Sequence, residues 1–286
     1  LTWAGWPVKD TSKNTLAASK AKEVIDMGYH SLLPIDQLWL LKNANSRESI
    51  FSVQFSKEED QRNGHPAATS FHMARGWSDM YPELQFFKDF PEGPRKVATF
   101  VTDIPNRGFS GGAIITKNPP TKNWEVSERF HPMYGKFTAS EDLTVVGRTM
   151  GYRAIEVYRY AEVLLIYAEA KAASGGFDAT ALSALNQVKR RAAGLDPDTP
   201  NAAVDATSAT VQDIIDEKGW ELAAEHKRWF DLVRTETLES AILKRDPTEQ
   251  VPLVRQPGKA QYISPIPAEA IATSKLVQNP QGFKIQ

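Results

Sequence analysis

Residues 157–170 read VYRYAEVLLIYAEA, and their apolar side chains recur at the spacing that places them on one face of a helix. Three further helix-forming segments follow in a fixed order: ALNQVKRRAAGL at 184–195, EKGWELAAEHKRWFDLVR at 217–234 and YISPIPAEAIATSKLVQNPQGF at 262–283. One such segment would carry little information, whereas four together indicate a C-terminal half that is mainly helical.

The first two segments predict an antiparallel helix pair. Several stripe residues of the first helix are alanines, which let a neighbouring helix approach closely, while Glu162 and Glu169 fall on the opposite side. Residues 174–176 (SGG) are expected to end this helix, and Asp178 is placed to cap the next one. Such a pair is typical of tetratricopeptide packing, although the repeat of about 34 residues is not visible.

Composition excludes several classes of protein. The chain has 286 residues, of which 41% are hydrophobic and 24% are charged, close to the averages of globular proteins. A net charge of −1 argues against nucleic acid as the main partner, because phosphate binding needs a concentrated basic surface. The absence of cysteine excludes disulfides and thiolate sites. No apolar run reaches the roughly 18 residues that indicate a membrane span.

Outside the first helix pair, local patterns predict further elements. We expect helices at Thr15–Gly28 and Pro34–Asn43, a strand at Ser49–Phe55, one long helix at Val211–Arg234 and a single helical turn at Pro267–Thr273.

Residues 56–151 have a different texture, because Gly, Pro, Asn and Asp recur every few residues and no long amphipathic period survives. Long irregular stretches are usually binding loops or disordered segments. Frequent aromatic residues argue against disorder. We therefore predict ordered loops with short strands, such as Lys96–Val101.

The predicted fold class is mainly α: a tetratricopeptide-like helical scaffold with a long irregular loop region and a few short strands. Residues 1–55 are expected to form helices and a strand of the scaffold, residues 56–151 a loop-rich ligand-binding region, and residues 152–286 the C-terminal helical region.

The segment FHMARGWSDMY at 71–81 is the first candidate site, because it places aromatic, basic and acidic side chains together in a loop. Sugars present flat C–H faces that rest on aromatic rings and hydroxyls that need donors and acceptors. The candidate ligand contacts are Phe71, His72, Arg75, Trp77, Asp79 and Tyr81, together with Asn123 and Trp124. The alternative is that these aromatics fix the loops to the core.

Glu217, Glu221 and Glu225 form the clearest carboxylate ladder of the chain. A metal site or an acid–base pair would use such groups, but no histidine shares their predicted face. We expect a structural salt-bridge network instead, with Lys218 and Arg228 available as partners.

Histidine and tryptophan residues on predicted helical faces are assigned to the core. His226 is predicted to be buried and hydrogen-bonded, and Trp39, Trp220 and Trp229 to pack inside. No HxxxH or HExxH spacing occurs, so no metal site is expected, and no nucleotide or nucleophile motif indicates a cofactor or catalytic residue.

The four C-terminal segments resemble the SusD/RagB family of outer-membrane nutrient-binding lipoproteins. Further matching segments are AKEVIDMGYHSLLPIDQLW with SRESIFSVQFS near the N-terminus, Lys88-Asp89-Phe90 with Arg95 and Thr99-Phe100, and the closing Pro265-Ile266-Pro267, Gln278-Asn279-Pro280 and Gly282-Phe283. The chain departs from the family where a glutamate–arginine pair is replaced by Glu217-Lys218 and "E-G-x-R" by Glu225-His226-Lys227-Arg228.

The resemblance implies a non-catalytic protein that captures a glycan at the cell surface and delivers it to a SusC-like TonB-dependent transporter of the outer membrane. It implies no cofactor, and a membrane association only through a lipid anchor outside this chain. No signal peptide is visible after Leu1, and the resemblance implies that the chain is the C-terminal portion of a longer family protein.

Two alternatives stay open at this point. The first is a peptide or glycoprotein receptor of the same uptake system, which would use grooves and backbone hydrogen bonds. The second is a glycoside hydrolase, which needs two carboxyl groups across a cleft, for which Asp79 and Glu83 are candidates.

Overall fold

A computed structural model describes residues 10–56, 58–59, 61, 79–105, 121–127, 129–137, 154–249 and 264–278, together with Thr2 and Tyr262. Its α-helices are α1 (Ser12–Asp26), α2 (Ile35–Leu38), α3 (Leu84–Asp89), α4 (Pro94–Thr99), α5 (Tyr160–Ala173), α6 (Ala179–Ala192), α7 (Val211–Glu221), α8 (Arg228–Arg234), α9 (Leu238–Leu243) and α10 (Ala268–Thr273). The strands are β1 (Ser49–Val53), β2 (Phe100–Val101), β3 (Asp103–Pro105), β4 (Thr121–Asn123), β5 (Met133–Tyr134) and β6 (Ile155–Arg159). Short 3₁₀ helices occupy Leu41–Asn43, Trp124–Val126 and Pro247–Glu249.

Helix α5 is the centre of the frame, and α1, α6 and α7 pack against it. Ala161, Leu165 and Ala168 of α5 are fully enclosed, and the core extends to Leu185 of α6 and Ile214 of α7. The predicted antiparallel helix pair and the mainly α fold class are confirmed. The alanines let α1, α6 and α7 come close to α5, as their predicted role requires.

The polar side of α5 lies where it was predicted, but it is buried. Glu162 and Glu169 lie opposite the alanine stripe, yet both are buried, because α5 is covered on all sides. Each carboxylate has a cation as partner: Glu162 faces Lys227, and Glu169 faces Lys218 and Arg234.

Among the residues that the structure describes, three two-stranded antiparallel sheets join separate segments of the chain. β1 pairs with β6, β2 with β5, and β3 with β4. The β1–β6 register places Ser49 opposite Arg159 and Val53 opposite Ile155. The helix expected from residue 157 therefore begins at Tyr160, because the preceding residues belong to β6.

The strand predicted at Lys96–Val101 is mostly a helix. Gly93, with φ 134°, leads into α4, and Pro94 occupies the first turn, where its missing N–H is not needed. Only Phe100 and Val101 are extended.

The single helix predicted at Val211–Arg234 is broken after Glu221. Ala224 (φ 64°) and His226 (φ 61°) adopt the left-handed conformation between α7 and α8. L-residues adopt this conformation at a cost, and glycine adopts it freely. His226 thus occupies a backbone position suited to the glycine of the "E-G-x-R" pattern.

Several local predictions are confirmed within one to three residues. α1 and β1 lie where expected, and the segment predicted at Pro34–Asn43 forms α2 followed by a 3₁₀ turn. Asp178 caps α6 by accepting a hydrogen bond from the Ala181 amide at 2.9 Å. Gly175 leaves α5 with φ 72°. Within the described ranges, no helix has the length and apolar character that crossing a membrane requires.

Candidate functional site

The candidate ligand contacts divide into two groups. Phe71, His72, Arg75 and Trp77 lie outside the residues that the structure describes. Asp79, Tyr81, Asn123 and Trp124 lie within them, in the loop-rich region. Asp79 and Asn123 are exposed, whereas the Tyr81 and Trp124 side chains are half-buried. In the described part of the chain, no ring contact joins Tyr81 to Trp124.

Tyr81 packs beside His131, with ring centroids 5.3 Å apart and the planes tilted by 55°. His131 is held on both sides: one ring nitrogen lies 2.8 Å from the Arg129 carbonyl oxygen, and the other contacts the Glu249 carboxylate. Glu249 also accepts the Leu84 amide hydrogen at 3.0 Å. This chain of contacts fixes the Tyr81 ring against the segment that contains His131.

The electrostatics of Glu249 agree with this arrangement. Partial burial raises the pKa of Glu249, but hydrogen bonds with His131 and the Leu84 amide outweigh it and lower the pKa below its ordinary value. Glu83 is also engaged by backbone, since it accepts the Phe86 amide at 2.8 Å and the Asp246 amide at 2.7 Å. These carboxylates act as structural acceptors.

The Trp124 side chain is half-buried. Its indole packs edge-on against Phe87, with centroids 5.6 Å apart and planes at 76°. Phe87 belongs to an aromatic cluster with Phe90 and Phe100, so one side of Trp124 is fixed to the core while the rest stays accessible. Asn123 begins the 3₁₀ turn of Trp124 by accepting the Glu125 amide at 3.0 Å.

The carboxylate ladder lies inside the protein. Arg95 donates to Glu217 at 2.5 Å and to Glu221 at 3.2 Å. Arg159 lies 2.7 Å from Glu221, and Lys136 lies 2.8 Å from Glu225. The predicted salt-bridge network is confirmed, but the partners come from distant segments.

We call the complete set the buried ion cluster. It contains four cations and four carboxylates: Arg95, Lys136, Arg159, Arg191, Glu48, Glu217, Glu221 and Glu225. The four positive and four negative formal charges cancel. Every member is under 9% exposed, so the cluster is shielded from water. Burial raises the pKa of Glu221, but Arg191, Arg159 and Arg95 together hold it well below its usual range. Burial lowers the pKa of Lys136.

The partners expected for the ladder are wrong. Lys218 pairs with Glu169 at 3.1 Å and Asp231 at 3.0 Å, and Arg228 donates to the Ile215 carbonyl at 3.0 Å. Neither contact involves a glutamate of the ladder. The described residues contain no group of acidic or histidine side chains arranged to hold a metal ion.

The assignments for His226 and Trp229 are also wrong. His226 is exposed and Trp229 is 47% exposed, because the break after α7 rotates α8 away from the predicted apolar face. Trp39 is buried as predicted. Trp220 is half-buried and stacks on Phe86 with centroids 5.1 Å apart.

Lys136, Arg159 and Arg191 carry no local sequence signal that could have predicted their place in the buried ion cluster. Arg159 and Glu225 are 66 residues apart, and Arg191 and Glu48 are 143 residues apart. Their proximity depends on the packing of β6, α6 and α7.

Comparisons with solved structures show the same architecture. A SusD superfamily protein from Parabacteroides distasonis matches with a TM-score of 0.71 and 24% identity, over 98% of this chain and 60% of the other. The surface glycan-binding protein A from Bacteroides uniformis matches with a TM-score of 0.69 and 23% identity, over 98% and 59%. The corresponding protein from Bacteroides thetaiotaomicron, in complex with laminarihexaose, matches with a TM-score of 0.67 and 19% identity, over 97% and 62%.

The chain thus spans about three fifths of the length of these solved relatives. No functionally curated protein matches it. The family model described as "SusD family" matches residues 108–282, more than half of the 286 residues. The chain belongs to the SusD family.

Proposed function

We propose that this chain is part of a cell-surface protein that captures an oligosaccharide or polysaccharide and delivers it to a SusC-like, TonB-dependent transporter of the outer membrane. Family membership carries the proposal, and a lipid anchor elsewhere in the full protein would hold it at the membrane. A related fold with laminarihexaose bound supports a glycan as the class of ligand.

We assign ligand binding to the region 56–151, with Phe71, His72, Arg75, Trp77, Asp79, Tyr81, Asn123 and Trp124 as contacts. Half-buried Tyr81 and Trp124 support this assignment, because each ring is fixed on one side and keeps an accessible surface. Exposed Asp79 and Asn123 supply polar groups near these rings in the sequence. Flat apolar surfaces beside polar groups suit a sugar ring.

We propose binding without turnover. Hydrolysis of a glycosidic bond uses two carboxyl groups about 5–9.5 Å apart that are free to exchange protons with substrate. Glu217, Glu221 and Glu225 are buried against cations, and Glu83 and Glu249 accept backbone amides. These five carboxylates are therefore committed to the fold.

Isothermal titration against a polysaccharide panel tests the proposal. Each aromatic platform contributes about 0.5–1.5 kcal/mol, so a few of them predict a dissociation constant in the high-micromolar to millimolar range. Trp77→Ala and Trp124→Ala are expected to weaken binding. Trp229→Ala is the matched control, because its indole is 47% exposed on α8, outside the proposed region.

Three results would contradict the proposal. Binding that is unchanged in both Trp77→Ala and Trp124→Ala removes these residues from the site. Release of reducing sugar by the purified chain would show an enzyme, and binding of peptides but no glycan would favour a peptide receptor.

A further inference from the structure

Phe130 has a backbone conformation that its residue type does not favour. Its φ is 55°, in the left-handed region, where an L-residue brings its Cβ close to the following carbonyl oxygen. Asn45, Ala224, His226 and Glu236 are the other non-glycine residues with positive φ in the described ranges. Phe130 is the one with a large apolar side chain, for which such a conformation is a genuine outlier.

Packing does not account for a phenylalanine at this position. The Phe130 side chain is 62% exposed, and it belongs to no core cluster of the described residues. Glycine would relieve the backbone, and a polar residue would suit the exposure. The stability of the fold therefore gives no reason for an aromatic ring here.

The turn that carries Phe130 is firmly held on both sides. Before it, Ser127 donates its hydroxyl to the Trp124 carbonyl at 2.7 Å, and the Phe130 amide donates to the Ser127 carbonyl at 3.3 Å. After it, His131 contacts the Glu249 carboxylate. A strained residue persists where its surroundings determine it, and such residues cluster at ligand clamps and active sites.

Phe130 also adjoins the candidate contacts at both ends of its turn. Trp124 begins the turn, and His131, the next residue, packs beside the Tyr81 ring at 5.3 Å. Arg129 is exposed and directly precedes Phe130 in the sequence. Asp79 is exposed and lies two residues before Tyr81. An exposed aromatic ring next to a polar side chain, as Phe130 is next to Arg129 in the sequence, suits a sugar ring.

We infer that Phe130 is a ligand-contact residue, whose ring provides a stacking surface for one sugar unit of the bound glycan. This inference rests on the proposed function and adds a residue that the sequence did not single out. The fixed turn keeps the ring presented before ligand arrives, so that little conformational freedom is lost on binding.

The test compares Phe130→Ala and Phe130→Gly with the wild type and with Phe51→Ala. Phe51 is a matched control, since its ring is 56% exposed but lies on β1. The probes are laminarihexaose, cellohexaose, xylohexaose, mannohexaose and their parent polysaccharides, measured by isothermal titration. We expect both Phe130 variants to weaken binding roughly three- to tenfold, the loss of one aromatic contact. Phe51→Ala is expected to stay within about twofold of the wild type.

Melting temperature separates a contact residue from a structural one. Phe130→Gly removes the backbone strain and is expected to melt at the wild-type temperature or above it while binding is weakened. Wild-type affinity in both Phe130 variants would overturn the inference. So would a lowered melting temperature in Phe130→Gly, or an equal loss of binding in Phe51→Ala. If the wild type binds none of the probes, the proposed function fails, and this inference fails with it.

Discussion

Arg159 and Glu225 form a bidentate ion pair inside the protein, in which Arg159 Nε donates to Glu225 Oε2 at 2.7 Å and Nη2 donates to Oε1 at 2.9 Å. The pair joins the end of β6 to the turn between α7 and α8. Parallel N–H···O bonds of this kind impose a defined geometry as well as an attraction. Because both side chains are buried, neither can be solvated if its partner is removed.

Replacing Arg159 with methionine is expected to destabilise the protein strongly. Glu48, Glu221 and Glu225 would each lose a cationic partner while staying buried. Breaking a buried pair in this way costs about 3–5 kcal/mol. Urea denaturation followed by circular dichroism measures the change.

Lys20→Met is the control for this substitution. Lys20 and Glu23 form an ion pair 2.9 Å long in which both side chains are 60% exposed. Its removal is expected to change the free energy of unfolding by no more than about 0.5 kcal/mol. A loss in Arg159→Met as small as this would show that the buried ion cluster relaxes around the missing charge.

Acid is expected to destabilise the fold through its buried carboxylates. Despite burial, neighbouring cations lower the pKa of Glu221, Glu225 and Asp231 in the folded protein. The unfolded chain therefore binds protons more readily, so the stabilisation is present above the unfolded pKa values of about 4 and is lost as pH falls through the folded values. Melting temperature should fall steadily from about pH 5 to pH 3.

Glu225→Gln identifies the contribution of one carboxylate to this pH dependence. The variant is expected to melt below the wild type at neutral pH, and the difference should shrink as the pH is lowered. If the difference in melting temperature between the variant and the wild type stays constant from pH 7 to pH 3, Glu225 has the same protonation state in the folded and the unfolded protein.

Ala224→Gly is expected to stabilise the protein. Ala224 adopts φ 64°, and glycine accepts this conformation without the steric cost of a Cβ. The expected gain in the free energy of unfolding is about 0.5–1 kcal/mol, after the greater freedom of glycine in the unfolded chain is subtracted. Ala223→Gly, at a buried neighbour outside the positive-φ region, should lower stability. If both variants lose free energy of unfolding to a similar extent, the backbone of Ala224 is not strained.

Two substitutions of Asp178 separate its roles at the start of α6. Asp178 caps the helix through the Ala181 amide at 2.9 Å and pairs with Lys171 at 2.8 Å on the surface. Asp178→Ala loses the cap and should cost about 1 kcal/mol, whereas Asp178→Asn keeps a capping oxygen and should stay within a few tenths. Equal losses in the two variants, measured by thermal denaturation, would assign the effect to the ion pair.

The sequence predicts the elements of this fold whose signals are local. Asp178 and Gly175 mark the ends of α6 and α5 because capping and left-handed termination need only neighbouring residues. The break after Glu221 has no such signal, since Leu222, Ala223 and Ala224 are ordinary helix formers. It arises where Glu225 reaches Arg159 and Lys136, a contact between distant segments.

The candidate site follows the same division. Residue chemistry alone identifies Tyr81 and Trp124 as aromatic side chains in loops, but their burial depends on Phe87 and His131 from other segments. The sequence could not predict the role inferred for Phe130. Neither a phenylalanine nor the residues around it indicate a left-handed backbone conformation at this position. Lys218 and Arg228 were natural partners for the glutamate ladder by helical spacing, but packing directs them elsewhere.

The antiparallel pairing of β1 with β6 brings residue 53 beside residue 155, so the two ends of the intervening stretch meet at one place on the frame. Arg95 and Lys136 fix its interior to the same frame through Glu217 and Glu225. Such a stretch is an insertion whose two ends are held together by strand pairing. Doubling the length of a flexible loop raises the free-energy cost of closing it by only about 0.6 kcal/mol. Lengthening a loop between these fixed points is therefore expected to cost little stability, while the same helices continue to support both of its ends.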